Sequence, residues 1–182
     1  MYTGELKQQL LSTARDSIRH GFLYKKSMSL IVEKYPEPLR ETRATFVTLR
    51  KHSGLRGCIG TILAVEPLIV STSDNAFAAA FRDPRFKPLA ETEFTDIHIS
   101  ISILTPSEQM VFASETELLA QLRPGIDGLI IERHSSKATF LPSVWSALEK
   151  PEDFLSQLKL KAGIPPDQAP VHAWRYQTET IE

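Results

Sequence analysis

The chain has 182 residues, of which 42% are hydrophobic and 24% charged, and its formal net charge is −1. A chain of this length can bury about 70% of its extended surface, so neither disulfides nor a structural metal are needed for folding. The composition excludes a disordered tail, a collagen-like repeat and a coiled coil, and no apolar run approaches the ~20 residues of a membrane span.

Leu6, Leu10, Ala14 and Ile18 recur every four residues, with Leu11 widening the stripe, and Gly21 reads as the stop of that first helix. Leu30, Ile31 and Val32 look buried, and Pro36 and Pro38 break the chain into a loop. Residues 44–50 are strand-like, His52-Ser53-Gly54 makes a turn, and 55–63 returns as the second arm of a hairpin. Pro67 suits the first turn of a helix running through Leu68, Ile69, Ala76, Phe77, Ala80 and Phe81. Pro84 requires that helix to stop near Asp83.

Ile97, Ile99, Ile101 and Ile103 alternate with Asp96, His98, Ser100 and Ser102, the clearest strand in the sequence. Ser114 and Glu117 form a capping box for a short helix through Leu118, Leu119 and Leu122. Residues 129–132 and 138–141 pair as strands across His134–Lys137. Pro142 and Pro151 each open a helix, the second burying Phe154, Leu155 and Leu158 and ending at Gly163. Residues 171–178 close the chain as one strand. Hairpins mixed with helices, without βαβ alternation, give an α+β fold.

The most informative stretch for chemistry is Leu55-Arg56-Gly57-Cys58-Ile59-Gly60. Regular strand alternation puts Arg56 and Cys58 on one face, roughly 6.5–7 Å apart. A neighbouring guanidinium favours the thiolate of a cysteine, and Gly57 and Gly60 permit close approach by a ligand or by another backbone. Cys58 is therefore either a cleft-lining thiol beside a fixed charge or a small buried residue on a kinked strand.

Residues 75–88 supply the second constellation. Three successive alanines let the helix pack closely, and Arg82, Asp83 and Arg85 cluster at the turn that follows. Two arginines could clamp a carboxylate or phosphate; alternatively, Asp83 pairs with one of them and caps the turn. Asp96, His98 and Ser100 do not make a hydrolase triad, because alternate residues of one strand stand parallel. The run 123–128 lacks the Lys-Ser/Thr of a phosphate loop and reads as a turn.

Cys58 is the only cysteine and the five histidines are widely spaced, so no thiolate metal site or Cys-ligated iron–sulfur cluster is expected, and no cofactor is called for. Residues 1–91 carry 14 Lys/Arg and 9 Asp/Glu, net +5, and residues 92–182 carry 7 and 13, net −6. The basic residues form no run longer than a pair, which leaves nucleic-acid binding a minor reading. The N-terminal stretch is charged throughout, with no apolar signal core, so a soluble, cytoplasmic protein is expected.

FVTLRKHSGLRGCIG at 46–60, NAFAAAFRDPRFKPL at 75–89, ISILTP at 101–106, DGLIIE at 127–132, TFLPSVW at 139–145 and FLSQLKLKAGIP at 154–165 together resemble the AMMECR family. The family takes its name from the Alport syndrome, intellectual disability, midface hypoplasia and elliptocytosis chromosomal region. The resemblance implies a single AMMECR-like domain over 1–182. It implies an α+β fold of two unequal lobes, with mixed or antiparallel sheets flanked by helices and the LRGCIG strand facing an interlobe cleft. It carries no settled activity. It does imply partners: Memo-type proteins, which resemble extradiol dioxygenases, or radical S-adenosylmethionine proteins. Ser135-Ser136-Lys137-Ala138 departs from the glycine-containing basic turn expected of the family.

Two functional readings stand at this point. In the first, an enzyme or thiol-dependent modifier acts on a small anionic substrate through Cys58 and Arg56. In the second, a non-catalytic module binds an anionic ligand or one of those partner proteins. Gly57, Gly60, Arg82 and Arg85 line the site in either case.

Overall fold

A computed structural model describes residues 2–182, which fold into two units. The first runs to Leu104 and takes back Glu179–Glu182; the second comprises Thr105–Thr178. In chain order the first unit holds helix α1 (Gly4–Tyr24), the short helix α2 (Glu37–Arg40), strands β1 (Thr45–Lys51) and β2 (Gly54–Gly60), helix α3 (Leu68–Phe81) and strand β3 (Ile97–Leu104). The second holds β4 (Glu108–Met110), α4 (Glu115–Gln121), β5 (Gly128–Arg133), β6 (Ser136–Phe140), α5 (Pro151–Ala162) and β7 (His172–Tyr176), and the last strand, β8 (Thr178–Ile181), returns to the first sheet. The α+β expectation holds.

The first sheet has the order β2-β1-β3-β8, with β1 antiparallel to both neighbours. The isoleucines of β3 and Val47 and Leu49 of β1 are buried, and they pack with Leu10, Ala14 and Ile18 of α1 and Leu68, Ile69, Ala76, Ala79 and Ala80 of α3. Both long helices therefore cover one face of this sheet. The alternate side chains, Thr48, His98, Ser100 and Ser102, lie on the opposite face. The triple-alanine run acts as the sequence suggests. A Cβ at Gly57 would overlap the carbonyl oxygen of Ala79, so helix and strand approach to backbone contact there.

The second sheet has the order β4-β7-β5-β6. Its core packs Leu129, Ile131 and Ala173 against Leu118, Phe154, Leu155 and Leu158, with the Trp145 indole stacked on Phe154 at 3.8 Å. Ser114 caps α4, accepting from the Glu117 amide at 3.2 Å, and Gly163 ends α5 in the left-handed region at φ +73°.

Several boundaries differ from the sequence reading. Helix α1 runs through Gly21 and ends at Lys25, a left-handed cap at φ 58°. Gly21 is glycine because a Cβ would strike the Phe77 and Phe81 rings. Ile31 is 58% exposed, and Leu30 and Val32 are half-buried. Pro36 and Pro38 open α2, which buries Leu39. β2 ends at Gly60, and Pro142 opens a 3-10 turn (Pro142–Ser146). The closing strand is split at Gln177, whose amide donates to Thr105 Oγ1 and whose carbonyl accepts from the Thr105 amide, both at 2.9 Å.

Candidate functional site around Cys58

β2 is an edge strand, and Cys58 lies in its second half. Gly57 pairs with Leu49 but Leu55 pairs with Arg50, so Arg56 is the extra residue of a β-bulge. Paired residues share a face. Leu55 and Cys58 therefore lie on the Thr48 face, while Arg56 is turned the other way. The shared face expected of Arg56 and Cys58 presumed regular alternation, and the bulge removes it.

Arg56 is held where it points. Its Nε and Nη2 fork onto Glu93 at 3.1 and 2.9 Å, and Nη1 donates to the Lys87 carbonyl at 3.0 Å. The side chain is only 15% exposed. Glu93 also accepts from Lys51 Nζ at 3.2 Å and from the Ala90 amide at 3.1 Å. These donors, Arg56 first, lower its carboxyl pKa from 4.5 to about 2.

Asp83 and Arg85 close the strand edge beside Cys58. The Cys58 amide donates to Asp83 Oδ2 at 2.8 Å, and Arg85 Nη2 donates to the Cys58 carbonyl at 3.1 Å. Two side chains thus replace a neighbouring strand and block pairing by another chain at this point. Arg85 Nε and Nη2 also fork onto Asp83 at 2.9 and 2.7 Å. Asp83 is 2% exposed, and the Arg85 guanidinium holds its carboxyl well below the usual carboxylate range. Asp83 raises the pKa of Arg85 in turn, and the Cys58 thiol adds a smaller contribution in the same direction. Arg85, not Arg56, is the cation next to the sulfur.

Thr48 Oγ1 donates to Cys58 Sγ at 3.4 Å, and Ser100 pairs with Thr48 in register, so Cys58, Thr48 and Ser100 form one row across three strands. His98 lies in the next row. Two strand spacings and one two-residue step put it about 11–12 Å from Cys58 between backbones, beyond proton-transfer reach.

The remaining candidates are dispersed. Arg82 lies over the Phe77 ring at 5.0 Å, and Arg85 over Phe86 at 5.5 Å. Arg56, Arg82 and Arg85 therefore do not converge as one clamp. Gly57 is filled by the α3 backbone, and Gly60 by the Thr45 carbonyl and the Phe46 ring. Among the described residues no cluster of His, Cys, Asp or Glu could hold a metal. No helix among them is long and apolar enough to cross a membrane. Sequence reading passed over Asp127 as part of a turn. It is fully buried, accepts from the Arg123 amide at 3.0 Å and from Nη2 at 2.6 Å, and its carbonyl holds Trp145 Nε1 at 2.7 Å. The Arg-Pro-Gly-Ile-Asp spacing was the available signal.

The architecture defines an α+β protein of two helix-backed, four-stranded sheets. A model of the AMMECR1 family matches residues 11–181, and the chain belongs to that family. A protein of Methanothermobacter thermautotrophicus is 39% identical over 163 residues, covering 87% of this chain and 82% of its own. One from Aquifex aeolicus is 41% identical over 145 residues, covering 74% and 72%. The crystal structure of an uncharacterised protein from Pyrococcus horikoshii is similar at a TM-score of 0.85 and 30% identity, covering 94% of this chain and 88% of that one.

Proposed function

We propose that the chain is a binding module that receives a small anionic ligand at the β2 edge, on the row formed by Cys58, Thr48 and Ser100, with Arg85 supplying the charge. One observation carries this reading. The carboxylate in the hydrogen-bond network of Cys58, Asp83, is spent on Arg85 and on the Cys58 amide, and it is held ionised far below the range of a general base. Arg85 is fixed at one end, yet its side chain remains 54% exposed. A preorganised cation beside a thiol and two hydroxyls suits capture better than turnover.

The competing reading is a thiol-dependent enzyme with Cys58 as nucleophile. The donor from Thr48 and the adjacent Arg85 favour it, and Arg56 then serves the fold. Binding of a Memo-type or radical S-adenosylmethionine protein at the same edge is the macromolecular form of the first reading. A cytoplasmic setting goes with it, since the single thiol needs no oxidising compartment.

Inorganic phosphate is the test ligand. At low ionic strength it should slow iodoacetamide alkylation of Cys58, the protection should fade with added salt, and Cys58→Ser should still bind phosphate by calorimetry. Alkylation indifferent to phosphate, together with no heat of binding, would reject the module.

A further inference from the structure

The helix layer of the first unit contains a second, unrelated feature. Gly21, Phe22, Lys25, Phe77, Phe81, Arg82, Pro88 and Leu89 line an open pocket of about 380 Å³, within the size range of small-molecule sites. Its apolar part is aromatic. Phe22 meets Phe81 edge-on with ring centroids 5.2 Å apart, and Phe77 lies 5.1 Å from Phe81. Gly21 makes the arrangement possible, because any Cβ there would displace the Phe77 and Phe81 rings. A glycine inside a 21-residue helix weakens it, so this position favours the ring arrangement over the helix.

Two cations complete the lining, and no acidic residue does. Arg56, Arg85 and Arg123 are each paired with a carboxylate. Lys25 and Arg82 are not: Lys25 Nζ donates to the Phe22 carbonyl at 3.0 Å, and Arg82 lies over the Phe77 ring. Among the described residues neither has an ion-pair partner, and both are exposed. The capping residues just beyond α1 and α3 thus place two uncompensated charges beside one aromatic pocket.

We propose that this pocket binds a small carboxylate with an apolar body, the body among Phe22, Phe77, Phe81 and Leu89 and the carboxylate between Lys25 and Arg82. The site is separate from the β2 edge, and phosphate, which has no apolar body, does not compete for it. Arg82 over the Phe77 ring and Lys25 on the Phe22 carbonyl both keep their charge available to an incoming anion, and the neighbouring rings offer its body an apolar surface.

The probe is 4-phenylbutyrate, with 4-phenylbutyramide as its uncharged counterpart, followed by calorimetry and by ring-proton NMR. The acid should bind with a Kd of about 1 mM or below at low salt. The amide should bind at least about tenfold more weakly, with nuclear Overhauser contacts from the ligand ring to phenylalanine rings for the acid. The double variant Lys25→Gln/Arg82→Gln, at two exposed positions, should reduce acid affinity to that of the amide while keeping its melting temperature. Equal binding of acid and amide, unaltered acid affinity in the double variant, or no saturable binding of the acid at about 10 mM would each overturn the proposal.

Discussion

Asp83→Asn tests whether the β2 edge is held as described, because asparagine keeps the shape of aspartate and removes its charge. Asp83 accepts four hydrogen bonds: Oδ2 from the Cys58 amide and Arg85 Nη2, and Oδ1 from the Arg85 amide and Arg85 Nε. An asparagine can match only one of these pairs. With its oxygen in the Oδ1 position, its NH2 faces the Cys58 amide and Arg85 Nη2; in the flipped orientation, it faces the other two donors. Either way two donors are left opposing a donor, at about 1–3 kcal/mol for each that stays buried. Arg85 is half exposed and can recruit water, so one of the two losses is largely recovered. The expected destabilisation is about 2–3 kcal/mol, read as a lower urea midpoint with unchanged slope. A cycle with Arg85→Met should show strong coupling, since the arginine is what the charge serves. A loss below about 0.5 kcal/mol, or additive single variants, would refute the capped edge.

Gly57→Ala should destabilise by about 3 kcal/mol or more in the same urea assay, because the added methyl meets the Ala79 carbonyl, whereas Gly4→Ala, in open space, should be neutral or slightly stabilising. Arg56→Met should leave the alkylation rate of Cys58 within about a factor of two, and Thr48→Val or Arg85→Met should slow it by more than that; the reverse order would mean that the bulge does not redirect Arg56. Glu93→Gln should cost about 1–2 kcal/mol at pH 7 after solvent screening. The folded pKa of about 2 lies below the unfolded 4.5, so this stability is fully present above pH 4.5 and lost as pH falls towards 2; native and variant curves should converge there, and a gap persisting at pH 2 would contradict the pairing.

Periodicity made most elements legible. The alternating isoleucines of β3, the four-residue spacing in α1, the capping box at Ser114 and the proline before Leu68 each record a local physical requirement, and each element formed where that requirement lies. The failures have a common origin in contacts distant in sequence. Gly21 read as a helix stop because glycine commonly is one, but the reason for it is two rings contributed by α3. Residues 171–178 carry one continuous strand pattern, and only pairing with Thr105 divides them between two sheets. Arg56 was misplaced for the same reason. A bulge is a property of two strands in register, and nothing within Leu-Arg-Gly-Cys announces it. Asp127 is illegible in sequence because a buried aspartate and an exposed one look alike in a turn.

The carboxylates explain how one chain can combine rigid arginines with accessible positive charge. Asp83, Glu93 and Asp127 each bind an arginine through two nitrogens or an equivalent fork, and each also accepts a backbone amide from the Cys58, Ala90 or Arg123 peptide. An acid that takes both contacts fixes a piece of chain, and the exposure of its arginine then decides what charge is left for a ligand. Arg56, 15% exposed, is absorbed into the fold; Arg85, 54% exposed, is fixed and still accessible. Lys25 and Arg82 lie outside this scheme, held only by a carbonyl and a ring. The graded supply of positive charge in the first unit therefore follows from which of its basic side chains an acid reaches. Binding should follow the same gradient: strongest in salt dependence at Lys25 and Arg82, weaker at Arg85, and absent at Arg56.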